Sequence, residues 1–451
     1  MRHGFRALSD DDYSRVVIAQ VFAIRPSFDP SHSSWLPFPF WLYGTCMACF
    51  GNALATARGI GFAVGLCSTG ILWFAMRVLG VSRSASVLGV LIALLVPYSA
   101  WLGLATTPDF YSATLVLFSC ATLARKHVSL RTLGVLALGI ASLSRYEAWP
   151  VAVLWAFLNG VDAVRSRRWQ FAWLAAIGLV PPALWMLHGA NAHNSALFFV
   201  ERVASYQHAL GSATPHGLTQ AFRTPWRLIA DAPEIWALLL FAALCGKGPR
   251  LWPKRWNRPV CAISTTVLFV WSADWHGSTA THHSSRTLLA AWFMLAALAA
   301  ANLFRRSQSA GAWQRARFVL GAAGTGALAM FALRPAISSI EPPQDRSEEV
   351  QFGLLASHRV PKGARLAIAT PGYGYFAAEA AFARPLETRV VNPHDPRRPA
   401  ADPFLSSNEA SRTLRDVQAD WVIAERNHER VLSEFATILD RGPSLLFARA
   451  R

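Results

Sequence analysis

Residues 131–160 read RTLGVLALGIASLSRYEAWPVAVLWAFLNG: two apolar runs, one on either side of Ser144-Arg145-Tyr146-Glu147. Each run is shorter than the ~20 residues that a straight crossing of a bilayer needs. An arginine and a glutamate inside so apolar a stretch are costly unless they line a polar cavity or pair with each other. The stretch therefore predicts a hairpin of two short membrane helices, broken around a polar site.

Similar apolar runs recur on both sides, near 52–76, 84–104, 110–125, 170–188, 229–246, 259–274, 287–304 and 317–335. With the hairpin they make about ten spans, and the fold class expected is an all-α polytopic membrane protein. The composition agrees, with 53% hydrophobic residues and a positive mean hydropathy. A soluble globular chain does not fit.

Charge supplies the orientation. Ahead of residue 341 stand 28 Lys+Arg against 11 Asp+Glu, and behind it 15 of each, so the whole net charge of +17 belongs to the membrane part. Taken alternately, one set of connections holds Arg77 and Arg83; Arg125, Lys126 and Arg131; Arg165, Arg167 and Arg168; Lys247 to Arg258; and Arg305 to Arg317. These bases, with Asp162 as their one acid, are assigned to the cytoplasmic side by the positive-inside rule. That rule explains the basic balance without nucleic acid, which is not expected as a partner. The other set holds nearly every acid: Asp10, Asp11 and Asp12, Asp109, Glu147, the loop 189–228 and the loop from Trp275 to Arg286. This topology places residue 1 outside, and Met1 to Ser9 is too short and polar for a signal peptide or a span, so a truncated start is expected.

Three domains follow: an outer acidic loop with amphipathic helices over 1–51, the polytopic part over 52–340, and a small α/β extracytoplasmic domain over 341–451. In the last, Arg365 to Thr370, Asp420 to Ala424 and Leu445 to Ala448 predict buried strands, with helices over Ser407 to Val417 and His428 to Leu439. Pro371-Gly-Tyr-Gly-Tyr375 does not fit a phosphate loop and predicts a structural turn.

Four constellations can carry chemistry. Ser9-Asp10-Asp11-Asp12-Tyr13-Ser14-Arg15 bunches more carboxylate than capping a helix needs, and a carboxylate held at the outer face can take a proton from a hydroxyl. Asp109, in Pro108-Asp109-Phe110-Tyr111, sits on the next outer turn. Arg145 and Glu147 occupy the helix break. Asp274-Trp275-His276 with Thr281-His282-His283-Ser284-Ser285-Arg286 suits a phosphate at a helix start. The same Asp and His residues make a divalent metal possible, although their spacing is not diagnostic and no metal is assigned. Cys46 and Cys49 have the spacing of half a zinc knuckle without a second pair, and all six cysteines lie in or beside apolar segments as buried thiols.

In this order the motifs resemble the membrane-embedded C-type glycosyltransferases, the group that contains protein O-mannosyltransferases and lipid A aminoarabinose transferases. The resemblance rests on Asp11-Asp12 with Arg15 three after the second, Trp35-Leu-Pro-Phe-Pro39, Asp109, the break at 143–147, His283-x-x-Arg286, and the terminal domain. It implies a multi-pass plasma (inner) membrane enzyme that moves a hexosyl or pentosyl group from a polyprenyl-phosphate donor to a lipid, glycan or protein acceptor on the outer side. By the resemblance, Asp12, or Asp11 second, is the general base. Arg145, His283 and Arg286 hold the lipid phosphate, Asp109 and Glu147 orient sugar or acceptor, and Asp10 and His282 are further substrate-binding residues. The departures are the family's first helix, absent ahead of the acidic loop, and the third aspartate, which leaves the catalytic position open. A transporter or flippase, or a non-catalytic envelope assembly subunit, is the alternative class.

Overall fold

The computed structural model describes residues 7–96, 99–209, 218–245, 252–275, 284–308, 312–338, 344–370, 372–391, 393–397, 404, 406–432, 435–441 and 444–449. Helices α1 (Asp11–Ile24) and α2 (Phe38–Phe50) lead into the apolar series. That series runs α3 (Leu54–Leu79), α4 (Arg83–Leu95), α5 (Ser99–Leu102), α6 (Asp109–Thr122), α7 (Val128–Ser142), α8 (Ala148–Ser166), α9 (Trp169–His193), α10 (Phe198–Ala209), α11 (Leu218–Ala230), α12 (Pro233–Leu244), α13 (Asn257–Trp275), α14 (Ser284–Thr287), α15 (Leu289–Gln308), α16 (Ala312–Leu328) and α17 (Arg334–Ile337).

Each of the ten expected apolar runs is helical, and the run expected over 84–104 divides into α4 and the short α5. Among the described residues, four helical stretches, Leu54–Leu79, Trp169–His193, Leu289–Ser307 and Trp313–Ala336, are long and apolar enough to cross a membrane. Their packing differs in a way that a bilayer explains. In Leu289–Ser307, 72% of the apolar window is buried against other helices, whereas in Trp313–Ala336 only 11% is. Trp313, Leu320, Leu328 and Phe331 on the latter face outward, as a lipid-contacting helix requires.

The hairpin read from residues 131–160 is present as α7 and α8, joined through the break. At its far end the basic connections meet. Arg131 Nη1 donates to Asp162 (2.6 Å) and Asn159 (2.9 Å), and Arg258 grips both oxygens of Asp162 at 2.6 and 2.9 Å. Arg125 Nε donates to Val78 O, and Arg255 to Gly80 O. Loops far apart in sequence thus gather at one end of the helices, and the acid-bearing loops gather at the other.

Close helix approach sets the acidic end. A Cβ on Gly65 of α3 would lie 1.9 Å from Gly103 O, and one on Gly61 3.2 Å from Ala105 O. Only glycine lets the backbone of 99–106 press so closely on α3. That backbone carries Thr106, which holds Asp12.

The tail contains α18 (Ser347–Arg359), α19 (Tyr375–Phe382), α20 (Ser407–Asp416) and a five-stranded sheet of β1 (Leu366–Ala369), β2 (Thr388–Val390), β3 (Trp421–Glu425), β4 (Phe435–Arg441) and β5 (Ser444–Arg449). Strand order is β2-β1-β3-β5-β4, with β1 parallel to β2 and β3, and β5 antiparallel to β3 and β4. Alternation along β1 serves two faces: Leu366 and Ile368 pack with Phe352 of α18 and Phe382 of α19, while Ala367 and Ala369 pack with Ala410 and Leu414 of α20. One expectation fails here. The described residues of 428–439 do not form the expected helix: Arg426–Val431 form a single 3-10 segment, and Phe435–Arg441 is strand β4, paired with β5. The amphipathic pattern suited a helix, but pairing with β5 bonds the backbone of 435–441 outside any helix, and Thr437 and Ile438 favour a strand.

Candidate active site

The break between α7 and α8 and the start of α6 face each other. Arg145 grips Glu147 with two hydrogen bonds, Nε to Oε2 at 3.1 Å and Nη2 to Oε1 at 2.7 Å, and its Nη1 stands 3.1 Å from Asp109 Oδ1. Asp109, Arg145 and Glu147 line one cleft with Arg286, Ser112 and Thr266. Arg286 is buried, and both its Nη atoms lie 3.4 Å from Ser9 Oγ, which ties the cleft to the acidic segment ahead of α1.

The three leading aspartates do different things. Asp12 is fully buried: Oδ2 accepts from Leu8 N at 2.6 Å, and Oδ1 accepts from Thr106 N at 2.8 Å and Thr106 Oγ1 at 3.0 Å, with Arg58 3.8 Å away. It is a clamp between the front segment and the 99–106 backbone. Asp10 binds Arg346 through both oxygens, at 2.8 and 2.9 Å, so it ties the helical part to the tail and is not brought into the cleft. Hydrogen bonding to Asp10 holds the Arg346 guanidinium above its usual range. Asp11 is half-buried, its carboxylate takes no hydrogen bond among the described residues, and it lies within electrostatic reach of Arg15 and Arg145.

The structure therefore brings Asp109, Arg145, Glu147 and Arg286 together with Asp11 close by, while Asp12 and Asp10 are engaged elsewhere. Asp274 is buried at the end of α13, where the Thr224 hydroxyl donates to it. His276, His282 and His283 lie outside the described residues.

Arg15 belongs to the acidic motif, but the motif alone gives it no role. It is buried on α1 with its guanidinium 4.3 Å from the Trp35 ring centroid and 5.7 Å from that of Phe40, and its Nε and Nη1 have no hydrogen-bond acceptor among the described residues. A buried guanidinium with unmet donors is costly, and an anion placed there would relieve it. The available signal was its spacing from Asp11, one helical turn away, with Trp35-Leu-Pro-Phe-Pro39 ready to cover it. Tyr111, two residues after Asp109, donates its hydroxyl to Ser144 Oγ, next to Arg145, at 3.2 Å.

Chemically, the arrangement offers three arginines suited to phosphate oxygens, two carboxylates in an ion-pair lattice, and one open carboxylate. No protein-family profile and no curated protein matches the chain. Two solved structures of ArnT from Cupriavidus metallidurans, one bound to undecaprenyl phosphate and one in the apo state, match over 98% of this chain and 94% of theirs. Their TM-scores are 0.60 and 0.59 at 13% sequence identity. Over nearly its whole length, the chain shares its fold with these two ArnT structures.

Proposed function

We propose that this protein transfers a sugar from a polyprenyl-phosphate donor to a hydroxyl acceptor, at the end of the helices where the acidic loops meet. That end and the tail would face the extracytoplasmic side of the plasma membrane, and the basic loops the cytoplasm. The observation that carries this reading is the buried, under-bonded guanidinium of Arg15 set beside Arg145 and Asp11. Arg15, Arg145 and Arg286 bind the donor phosphate, and as the glycosidic bond breaks they stabilise the charge that grows on it. Phosphate leaves without a general acid, so a single base suffices.

Asp11 is that base. Its open carboxylate takes the acceptor proton while the acceptor oxygen attacks the anomeric carbon from the face opposite the phosphate, giving inversion. Asp12, with both oxygens occupied, holds α1 in place. Asp109 and Glu147 keep Arg145 oriented and contact the sugar or acceptor. The likeness to an ArnT structure that holds undecaprenyl phosphate supports a lipid-phosphate donor.

The test uses the full chain in lipid nanodiscs with a panel of labelled polyprenyl-phosphate sugars and an envelope extract as acceptor. Release of free polyprenyl phosphate is the readout, because it needs no knowledge of the acceptor. Turnover with at least one lipid-phosphate donor and none with nucleotide sugars is expected. Binding of polyprenyl phosphate without turnover of any donor would favour a non-catalytic carrier or assembly role.

A further inference from the structure

Asp231 is a fully buried carboxylate that does not line the cleft, set just after α11 and two residues ahead of α12. Its backbone N–H donates to Arg227 O at 3.1 Å. The Leu228 carbonyl of α11 accepts from Trp236 Nε1 of α12 at 2.8 Å and from Trp292 Nε1 of α15 at 3.0 Å. Trp292 is itself fully buried, so the end of α11 is fixed against the core helix α15, and Asp231 with it.

The two oxygens of Asp231 serve different segments. Oδ2 accepts from the Ser285 hydroxyl at 2.5 Å, a length that belongs to charge-assisted bonds between a hydroxyl and a carboxylate. Oδ1 accepts from the Ser338 hydroxyl at 3.1 Å, where α17 closes. One turn along, Glu234 binds Arg334, which also donates to Leu95 O at 2.7 Å, so the end of α17 has a second tie. Ser285 immediately precedes Arg286, and its hydroxyl proton goes to Asp231 and not to a ligand. The four-residue α14 is too short to hold a direction through its own backbone bonds. Arg286 is instead bracketed by two fixed points: Ser285 on Asp231, and Leu288, fully buried in the helical core. Its contacts with Ser9 Oγ, at 3.4 Å, are long and would not by themselves aim a guanidinium. Arg286 and Thr287 both line the cleft. Freed at the Ser285 end, the arginine would sample other directions and its preorganised charge would be lost.

We propose that Asp231 is a positioning residue for the donor phosphate: through the Ser285 hydroxyl it sets the direction in which Arg286 enters the cleft, without touching the substrate itself. The inference rests on the phosphate role given above to Arg286. It separates the two oxygens of Asp231 by function, since only Oδ2 leads to Arg286, while Oδ1 secures the end of α17.

The experiment uses the full chain in nanodiscs and measures the affinity for polyprenyl phosphate, a probe that needs neither turnover nor a known acceptor. Arg286→Gln and Ser285→Ala should each weaken binding roughly tenfold or more, and Asp231→Ala, which removes the acceptor, should match Ser285→Ala. A double-variant cycle separates positioning from general damage: in the Arg286→Gln background, Ser285→Ala should cost less than about twofold more, because no guanidinium is left to aim. A loss that came from the packing of α14 would persist in that background. Ser338→Ala, which frees only Oδ1, should bind within about twofold of wild type. If Asp231→Ala yields no folded protein, the Ser285→Ala cycle carries the test alone. Losses that multiply in the double variant, wild-type binding by Ser285→Ala beside a weakened Arg286→Gln, or a Ser338→Ala defect equal to that of Ser285→Ala would each overturn the proposal. Wild-type binding by Arg286→Gln would instead overturn the phosphate role on which it rests.

Discussion

Asp109 and Arg145 meet at 3.1 Å across the mouth of the broken hairpin, and the same guanidinium grips Glu147. One arginine therefore pairs with two carboxylates at the edge of the apolar core. Replacing it strands both, and breaking a buried pair from one side costs about 3–5 kcal/mol. Arg145→Met is expected to lower the unfolding midpoint of the nanodisc protein sharply, whereas Asp109→Asn, which leaves Arg145 bound to Glu147, is expected to cost less. Equal midpoints for Arg145→Met and wild type would show that the lattice contributes nothing.

Arg15 presents a different balance, since its Nε and Nη1 donors are unmet in the protein alone. Arg15→Lys keeps the charge and loses the planar fork. A charge-assisted hydrogen bond is worth about 1.5–3 kcal/mol, so the donor KM should rise roughly 10- to 100-fold with thermal stability little changed. Steady-state kinetics at varied donor concentration checks this, and an unchanged KM would remove Arg15 from the phosphate site.

Gly65 tests how the fold delivers Asp12 to its place. An alanine there would put its Cβ 1.9 Å from Gly103 O, an atom fixed in backbone. Overpacking of this kind costs about 1–3 kcal/mol. Gly65→Ala should reduce both thermal stability and the yield of folded protein, while Gly70→Ala on the same helix, where an added Cβ meets nothing, should be tolerated.

Glu379 gives the tail domain a pH dependence of definite sign. Burial raises its carboxyl above the ordinary value of 4.5, against a hydrogen bond from Thr388 Oγ1 at 2.6 Å and the nearby Arg389. A raised folded value means that folding favours the protonated form. The stabilisation is complete below the ordinary value and is lost as pH rises through the folded one. Glu379→Gln should therefore flatten the pH dependence of unfolding and be the more stable protein at neutral pH. A wild-type tail that grows more stable across that rise would contradict the shift.

Much of the fold was legible because period and charge act locally. Ten apolar runs are helices, and alternate basic loops meet through Arg131, Asp162 and Arg258, since apolar length and clustered charge are properties of each segment by itself. The polar break at Arg145 and Glu147 was legible for the same reason. The edge strand β4 was not, because its stability comes from β5 and not from its own pattern. Nor could spacing separate the three aspartates: Asp12 is enclosed only because Thr106, ninety-four residues away, reaches it.

Release of polyprenyl phosphate by Asp11→Asn, compared with wild type at equal amounts of folded protein, is the most direct measure of where the base lies. Loss of a positioned base costs about 10²- to 10⁴-fold in rate. A fall of that size in kcat, with binding of polyprenyl phosphate retained, is the expected result. Asp12→Asn should instead lose folded protein, because its amide cannot accept from both Leu8 N and Thr106 N in place of the carboxylate. Wild-type turnover by Asp11→Asn, beside a folded and inactive Asp12→Asn, would contradict the assignment and move the base one residue along the chain.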